Sequence, residues 1–335
     1  LSMVVLALAQ LSFSGWHLVG GVCLTPDVNP FIFAFYREVF SVILMFFLYC
    51  YVMHGTHSDM LESLATCYRT LEGDFRIFLF LGFASFVNVM GSTIALSITD
   101  PSLFAIFQPM IPCVATAISI AAGFEGFAWQ KVAGIVVAVS GAIVVEVWKG
   151  GDASGVDDDE RSERYNNDLG VAVICVQVTA CATYLVFQKT ILDKYHSTLV
   201  TLLYYSIGAC FTSLSVAIYA MVWGVTMGDM AFEGHFVPWM GVVYVVIFST
   251  LYAWNAYTYA SQYLSPSLAT IFMSLQPVFT AILMYLFYAQ VLSTAQCIGG
   301  FLVTCGMVAT VLGATPGDGD ETDPKNSGLA ADGPY

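Results

Sequence analysis

Polar side chains recur at helical spacing inside stretches of this chain that are otherwise apolar. Gln10, Ser14 and His17 are separated by four and three residues, so on a helix they share one face. Gln177, Cys181, Tyr184 and Gln188 repeat that spacing, and an offset of 167 lays Gln10 on Gln177 and His17 on Tyr184. Ser85, Asn88 and Ser92 form a third such face, and Tyr252, Asn255 and Tyr259 a fourth, with Trp254 and Tyr257 beside it. Gln108 and Gln276 stand next to prolines. Amides, hydroxyls and one imidazole bind by hydrogen bonding and supply neither a nucleophile with its base nor a metal-ligand set. They suit a neutral, zwitterionic or aromatic small molecule. Two readings follow: the faces line a central cavity, or they make helix-packing hydrogen bonds, worth about 0.6 kcal/mol each in membranes.

The elements that carry these faces belong in lipid. The chain has 335 residues, is 58% hydrophobic and only 10% charged, and has a mean hydropathy of +0.77, whereas soluble domains carry about 25% charged residues. Ten apolar stretches approach the length needed to cross about 30 Å of hydrocarbon. They fall at 3–23, 30–53, 75–98, 101–122, 128–148, 169–192, 198–224, 237–260, 265–288 and 294–314. Backbone in hydrocarbon must pair with itself, so each stretch is expected to be helical. The fold class is an all-α membrane protein.

The second half of the chain repeats the first. At an offset of 165, Asp100-Pro-Ser-Leu-Phe-Ala-Ile-Phe lies on Ser265-Pro-Ser-Leu-Ala-Thr-Ile-Phe, Ala95 on Ala260, Pro112 on Pro277, Gly134 on Gly299 and Gly141 on Gly306. The units are 1–150 and 169–314, joined by an acidic linker at 151–168 and followed by a disordered acidic tail at 315–335. Five crossings per unit make the second copy enter upside down, which gives ten transmembrane helices as two inverted five-helix repeats. Pro101 and Pro266 suit first helical turns. Pro112 and Pro277, with Pro109 in the first copy, should break the fourth and ninth spans. The paired glycines let the fifth and tenth spans pack closely. Positions that differ between the copies (His17 against Tyr184, Asn88 against Ala253, Gln108 against Met273) are where selectivity is expected.

These residues resemble the EamA domain of the drug/metabolite transporter superfamily. The resemblance rests on the Ser-Leu-x-x-Ile-Phe stretch after a proline, the mid-span proline, the turn at Phe124-Glu125, then Gly134 and Gly141. Leu275-Gln276-Pro277-Val278-Phe279-Thr280-Ala281 carries it in the second copy, and Pro30 with Arg37 in the second span. Phe107-Gln108-Pro109 and Trp148-Lys149-Gly150 are similar to the plant nodulin-like, Walls-Are-Thin group. The resemblance covers roughly residues 5–312 and implies a ten-helix secondary transporter of small organic solutes. Gln290 departs from the glutamate usual there, which bears on hairpin packing.

Charge narrows the reading. The net charge of −14 comes mainly from the linker and tail, with no basic patch for nucleic acid. Six Lys and Arg residues (69, 76, 131, 189, 194 and 325) against three (149, 161 and 164) favour a cytoplasmic N-terminus. Arg37 lies within the second span, where it could pair an anionic group of a substrate or serve structurally by snorkelling or bonding helix C-terminal carbonyls; the structural reading is favoured. No intramembrane Asp or Glu stands out as a proton relay. No Lys or Arg occurs between Lys194 and Lys325, which disfavours a phosphate-bearing substrate. The nine cysteines show no metal-ligand spacing and are packing residues, so neither metal nor cofactor is expected. An integral membrane enzyme would draw on His54, His57 and Asp59. A channel would need charged rings, and a receptor is the remaining alternative. The expected partners are a small-molecule substrate and the lipid bilayer of a plasma or organelle membrane, and a homodimer is compatible with the spans.

The reading favoured is a secondary transporter working by alternating access, with Gln10, Ser14, His17, Asn88, Gln108, Gln177, Tyr184, Tyr252, Asn255 and Gln276 as the substrate-binding set. Gln10→Ala and Asn255→Ala are then expected to impair uptake with membrane expression intact, checked by uptake kinetics against surface quantity.

Overall fold

The computed structural model describes residues 2–25, 27–54, 60–124, 126–147, 167–263, 271–289 and 294–312. Glu125, Gln290, His57, Asp59, Ser265 and Pro266 lie outside the described residues, as do the linker from 151 to 166 and the tail.

Among the described residues, helix is found in each of the ten apolar stretches. The first half comprises α1 (Ser2–Cys23), α2 (Pro30–His54), α3 (Met60–Gly73), α4 (Phe75–Ile98), α5 (Pro101–Phe107), α6 (Met110–Ala121) and α7 (Trp129–Val147). The second half opens with α8 (Asn167–Phe187), α9 (Lys189–Leu192), α10 (Ser197–Trp223) and a short α11 (Met227–Met230). It continues through α12 (Phe236–Tyr244), α13 (Asn255–Tyr263), α14 (Leu275–Tyr288) and α15 (Thr294–Leu312). Among the described residues seven helices are long and apolar enough to cross a membrane, and two shorter apolar ones are Val278–Tyr288 and Cys297–Thr310. The surface is apolar, with Leu8, Phe47, Phe83, Val136, Ile218 and Phe301 exposed. Lipid is the only solvent that covers such a surface at low cost.

One element was not expected. The stretch before α4 is read from sequence as loop, yet it forms α3. That helix exposes Leu61, Leu64 and Tyr68 while burying Ser63 and Thr70. Glu62, Arg69 and Glu72 are exposed as well, while Cys67 and Leu71 pack against the core, so the helix is amphipathic and suits the membrane interface.

The packing partners exchange between the halves as a two-fold relation requires. α1 packs on α14 and on the α12–α13 segment, and its counterpart α8 packs on α6 and on α4. α2 meets its counterpart α10, and α7 meets its counterpart α15. The breaks match as well. In the first half the helix is interrupted at Gln108-Pro109 between α5 and α6. In the second, a tight 3-10 turn at Ile271–Ser274 precedes α14, so at an offset of 165 both interruptions fall at the same place. Pro112 cannot donate an N–H, so the Gln108 carbonyl takes the Ile111 N–H instead, at 3.0 Å. The tighter turn is the physical form of the expected break, one turn ahead of the proline.

The halves also differ. Residues Val245–Trp254, between α12 and α13, form a π-helical run of 10 residues, while the corresponding part of α4 is regular α-helix. Its wider turns are closed at the far end by Asn255, whose Nδ2 donates to the Leu251 carbonyl at 2.9 Å.

The α7–α15 seam is built from glycine. A Cβ on Gly141 would lie 2.7 Å from the Gly299 carbonyl oxygen, and one on Gly306 would lie 2.5 Å from that of Gly134. Backbones this close leave no room for a methyl. Gly141→Ala is expected to destabilise the protein by about 1–3 kcal/mol through overpacking. Gly300→Ala, whose Cβ would sit 3.9 Å from its nearest neighbour, should leave thermal unfolding in detergent unlowered.

Candidate functional site

Two amide networks, one from each half of the polar set, hold the broken helices. Where α1 meets α14, Gln276 Nε2 donates to Gln10 Oε1 at 2.6 Å, and Gln10 Nε2 donates to the Tyr257 hydroxyl. Ser14 Oγ lies 2.8 Å from the Gln10 carbonyl and 3.2 Å from that of Gln276, and His17 Nδ1 is 3.1 Å from Thr280 Oγ1. Where α8 meets α4 and α6, Gln177 Nε2 donates to Asn88 Oδ1 at 2.7 Å, and Gln108 Nε2 donates to Gln177 Oε1 at 3.3 Å. Each network thus runs from a break, through a first-of-half helix, to a third-of-half helix. Amides carry both donor and acceptor, so each glutamine can link two neighbours in lipid, and Gln108 Nε2 also lies 3.5 Å from the Phe104 carbonyl beside its break.

Between the networks lies a small cavity of about 40 Å³. Its walls include His17, Asn88, Gln108, Gln177 and Gln276, the aromatics Phe13, Trp16, Phe104 and Trp254, and Arg37. Phe104 meets the His17 ring edge-on at 5.0 Å, and Phe13 meets Trp254 the same way at 5.1 Å. The free space is narrow. A wider groove lined by Phe80, Phe83, Val87, Val176 and Thr183 is almost wholly apolar. Phe83 and Val176 are exposed on the outer surface, so that groove faces the bilayer rather than a solute path.

The ten residues chosen from sequence therefore divide. Five of them (His17, Asn88, Gln108, Gln177, Gln276) face the cavity. Gln10 and Ser14 stand behind it as links of the α1–α14 network. Tyr184 is buried at 1% exposure, its hydroxyl 3.0 Å from that of Tyr204 and its ring edge-on to Trp254 at 5.6 Å. Tyr252 reaches away to the Val5 carbonyl at 3.1 Å, and Asn255 closes the π-helical run. Neither is on the cavity wall. Spacing put all ten on polar faces, but which face turns inward depends on the tilt and turn of each helix.

Two charged residues look different in three dimensions. Arg37, read from sequence as bonding carbonyls, is 3% exposed, and its Nε and Nη1 have no hydrogen-bond partner. Its guanidinium lies over the Trp16 ring, 5.4 Å from the centroid. Glu38, passed over in sequence, is fully buried and accepts from Thr212 Oγ1 at 2.5 Å. An Arg-Glu pair deep in a span of Phe, Val and Leu was the available signal, since charge in lipid is expensive.

The halves also meet outside the spans. Lys194 Nζ lies 3.3 Å from Asp74 Oδ1, and the Tyr195 hydroxyl donates to Asp74 Oδ2 at 3.0 Å. Some burial and the neighbouring carboxylate hold the Tyr195 phenol above its ordinary pKa. The Lys194 side chain is 59% exposed, so this pair contributes at most about 1 kcal/mol and opens readily.

A sequence model described as the EamA-like transporter family matches the chain in two stretches, residues 1–147 and 168–312. A solved structure titled only "Crystal structure of protein" is similar at a TM-score of 0.61 and 15% identity, over 93% of this chain and 97% of that one. At that identity the likeness concerns fold alone.

If the Asn88–Gln177 bond only packs helices, its coupling and its functional effect should be equally small. A double-mutant cycle with Asn88→Leu and Gln177→Leu is expected to give a coupling of about 0.6 kcal/mol and no more than about 1.7. Solute uptake by either single variant should fall by well over the about threefold that 0.6 kcal/mol represents.

Proposed function

Because the chain belongs to the EamA-like transporter family, we propose that it is a secondary carrier, moving a small organic solute by alternating access between its two halves. Family and apolar helices make it a multi-pass integral membrane protein. The observation that carries the finer reading is the cavity between two matching amide networks, each tied to a broken helix. Sites of secondary carriers lie at repeat interfaces, beside discontinuous helices. All ten helical stretches cross the bilayer in this reading, and the second half is inverted relative to the first.

Ten crossings place Asp74 and the Lys194–Tyr195 turn on one side of the membrane, cytoplasmic if the N-terminus is. Their contact at 3.3 Å and 3.0 Å agrees with that arrangement. Such an exposed tie between halves is weak enough to break and reform during a transport cycle. The rigid partner is the α7–α15 glycine seam, which offers an axis about which the halves can rock.

The purified chain in sealed liposomes should show saturable uptake that an internal pool of the same solute accelerates by counterflow. Vesicles without saturable flux or counterflow across a panel of amino acids, nucleobases and small aromatic metabolites would rule the carrier out.

A further inference from the structure

The cavity is short of acceptors. On the side chains that line it, the buried polar atoms lacking a partner are Trp16 Nε1, Trp254 Nε1, Arg37 Nε and Nη1, and Gln276 Oε1. All but the last are donors. Arg37 is the one cation among the lining residues. Glu38 does not satisfy it: one carboxylate oxygen takes the Thr212 hydroxyl and the other has no hydrogen-bond partner. The Glu38 charge acts on Arg37 without a carboxylate oxygen bonding it, so a guanidinium 3% exposed, over Trp16, with Nε and Nη1 unbonded gains from an anion that reaches those donors.

Resting on the carrier reading above, we propose that the transported solute bears a single carboxylate and that Arg37 binds it in the central cavity. The planar guanidinium fork matches two carboxylate oxygens. The indole N–H groups of Trp16 and Trp254 are the further donors available to those oxygens. Gln276 Oε1 is the site for one donor of the solute, such as an amine or hydroxyl. Phe13, Phe104 and Trp254 provide apolar faces for the remainder. One cation neutralises one carboxylate. A phosphate monoester dianion would leave a net negative charge in low dielectric, so the same geometry selects against it.

Thermal shift of the full chain in detergent tests this with matched probes: L-phenylalanine, 3-phenylpropionate and lactate, the amide of each, and phenyl phosphate. The acids, or a subset of them, should raise the wild-type melting temperature, and the amides and phosphate should not. Arg37→Gln should weaken acid binding about 10- to 100-fold and abolish the acid-to-amide preference. A purely structural arginine would instead lower unliganded melting and leave the acid-to-amide preference intact. Trp16→Phe, which keeps the ring and deletes the N–H, should weaken acids several-fold, and it decides the matter if Arg37→Gln does not fold. Equal binding of acids and amides, no shift with any acid, or unchanged acid affinity in the variants would overturn the proposal. Saturable flux of a neutral solute that acids do not inhibit would also overturn it and leave the carrier reading standing. Acid binding without flux in liposomes would do the reverse.

Discussion

A hydrocarbon interior has no water to satisfy a broken helix, and the arrangement of this protein follows from that constraint. The helix is interrupted at Gln108-Pro109 and again at the turn before Leu275. Each interruption exposes backbone that a regular helix would pair, at a cost of several kcal/mol in lipid if nothing answers it. Gln108 Nε2 turns back to the Phe104 carbonyl at 3.5 Å and Ser14 Oγ reaches the Gln276 carbonyl at 3.2 Å, and the same two glutamines are held from the side by Gln177–Asn88 and Gln10–Tyr257. Because those amides must reach the breaks, they draw the first and third helices of each half toward the same central space. The cavity is what remains between the two networks.

The rest of the molecule divides into rigid and breakable contacts. The α7–α15 seam, where Gly134, Gly141, Gly299 and Gly306 bring backbones into contact, cannot slide without collision. The Asp74–Lys194 tie is largely solvated and contributes little. The π-helical run of Val245–Trp254 lies on one half only, so the halves are alike in plan and unlike in detail. That asymmetry lets one side of the cavity present Trp254 while the other presents Asn88 and Gln177.

Legibility varied with the physics behind each feature. Helix positions were readable because an apolar stretch of some twenty residues has few other stable forms in lipid. The breaks were readable because proline lacks an N–H wherever it sits. The glycine seam was readable because only glycine permits such approach. The amphipathic α3 was not, since its apolar residues are split between the core (Cys67, Leu71) and the exposed side (Leu61, Leu64, Tyr68). Within the site, His17 and Asn88 were found by spacing and do line the cavity. Tyr252 and Asn255 were found by the same rule and do not, since Tyr252 bonds the Val5 carbonyl and Asn255 the Leu251 carbonyl.

Arg37 marks the boundary most sharply. Sequence alone determined that this chain is a duplicated all-α membrane protein whose breaks, glycines and polar faces fall at matching positions, because composition and period are local properties that lipid reads directly. Only the tertiary structure decided which polar atoms find partners. Whether Arg37 bonds a carbonyl or stands unpaired over Trp16 depends on the tilt and register of helices far apart in the chain, which no local pattern records.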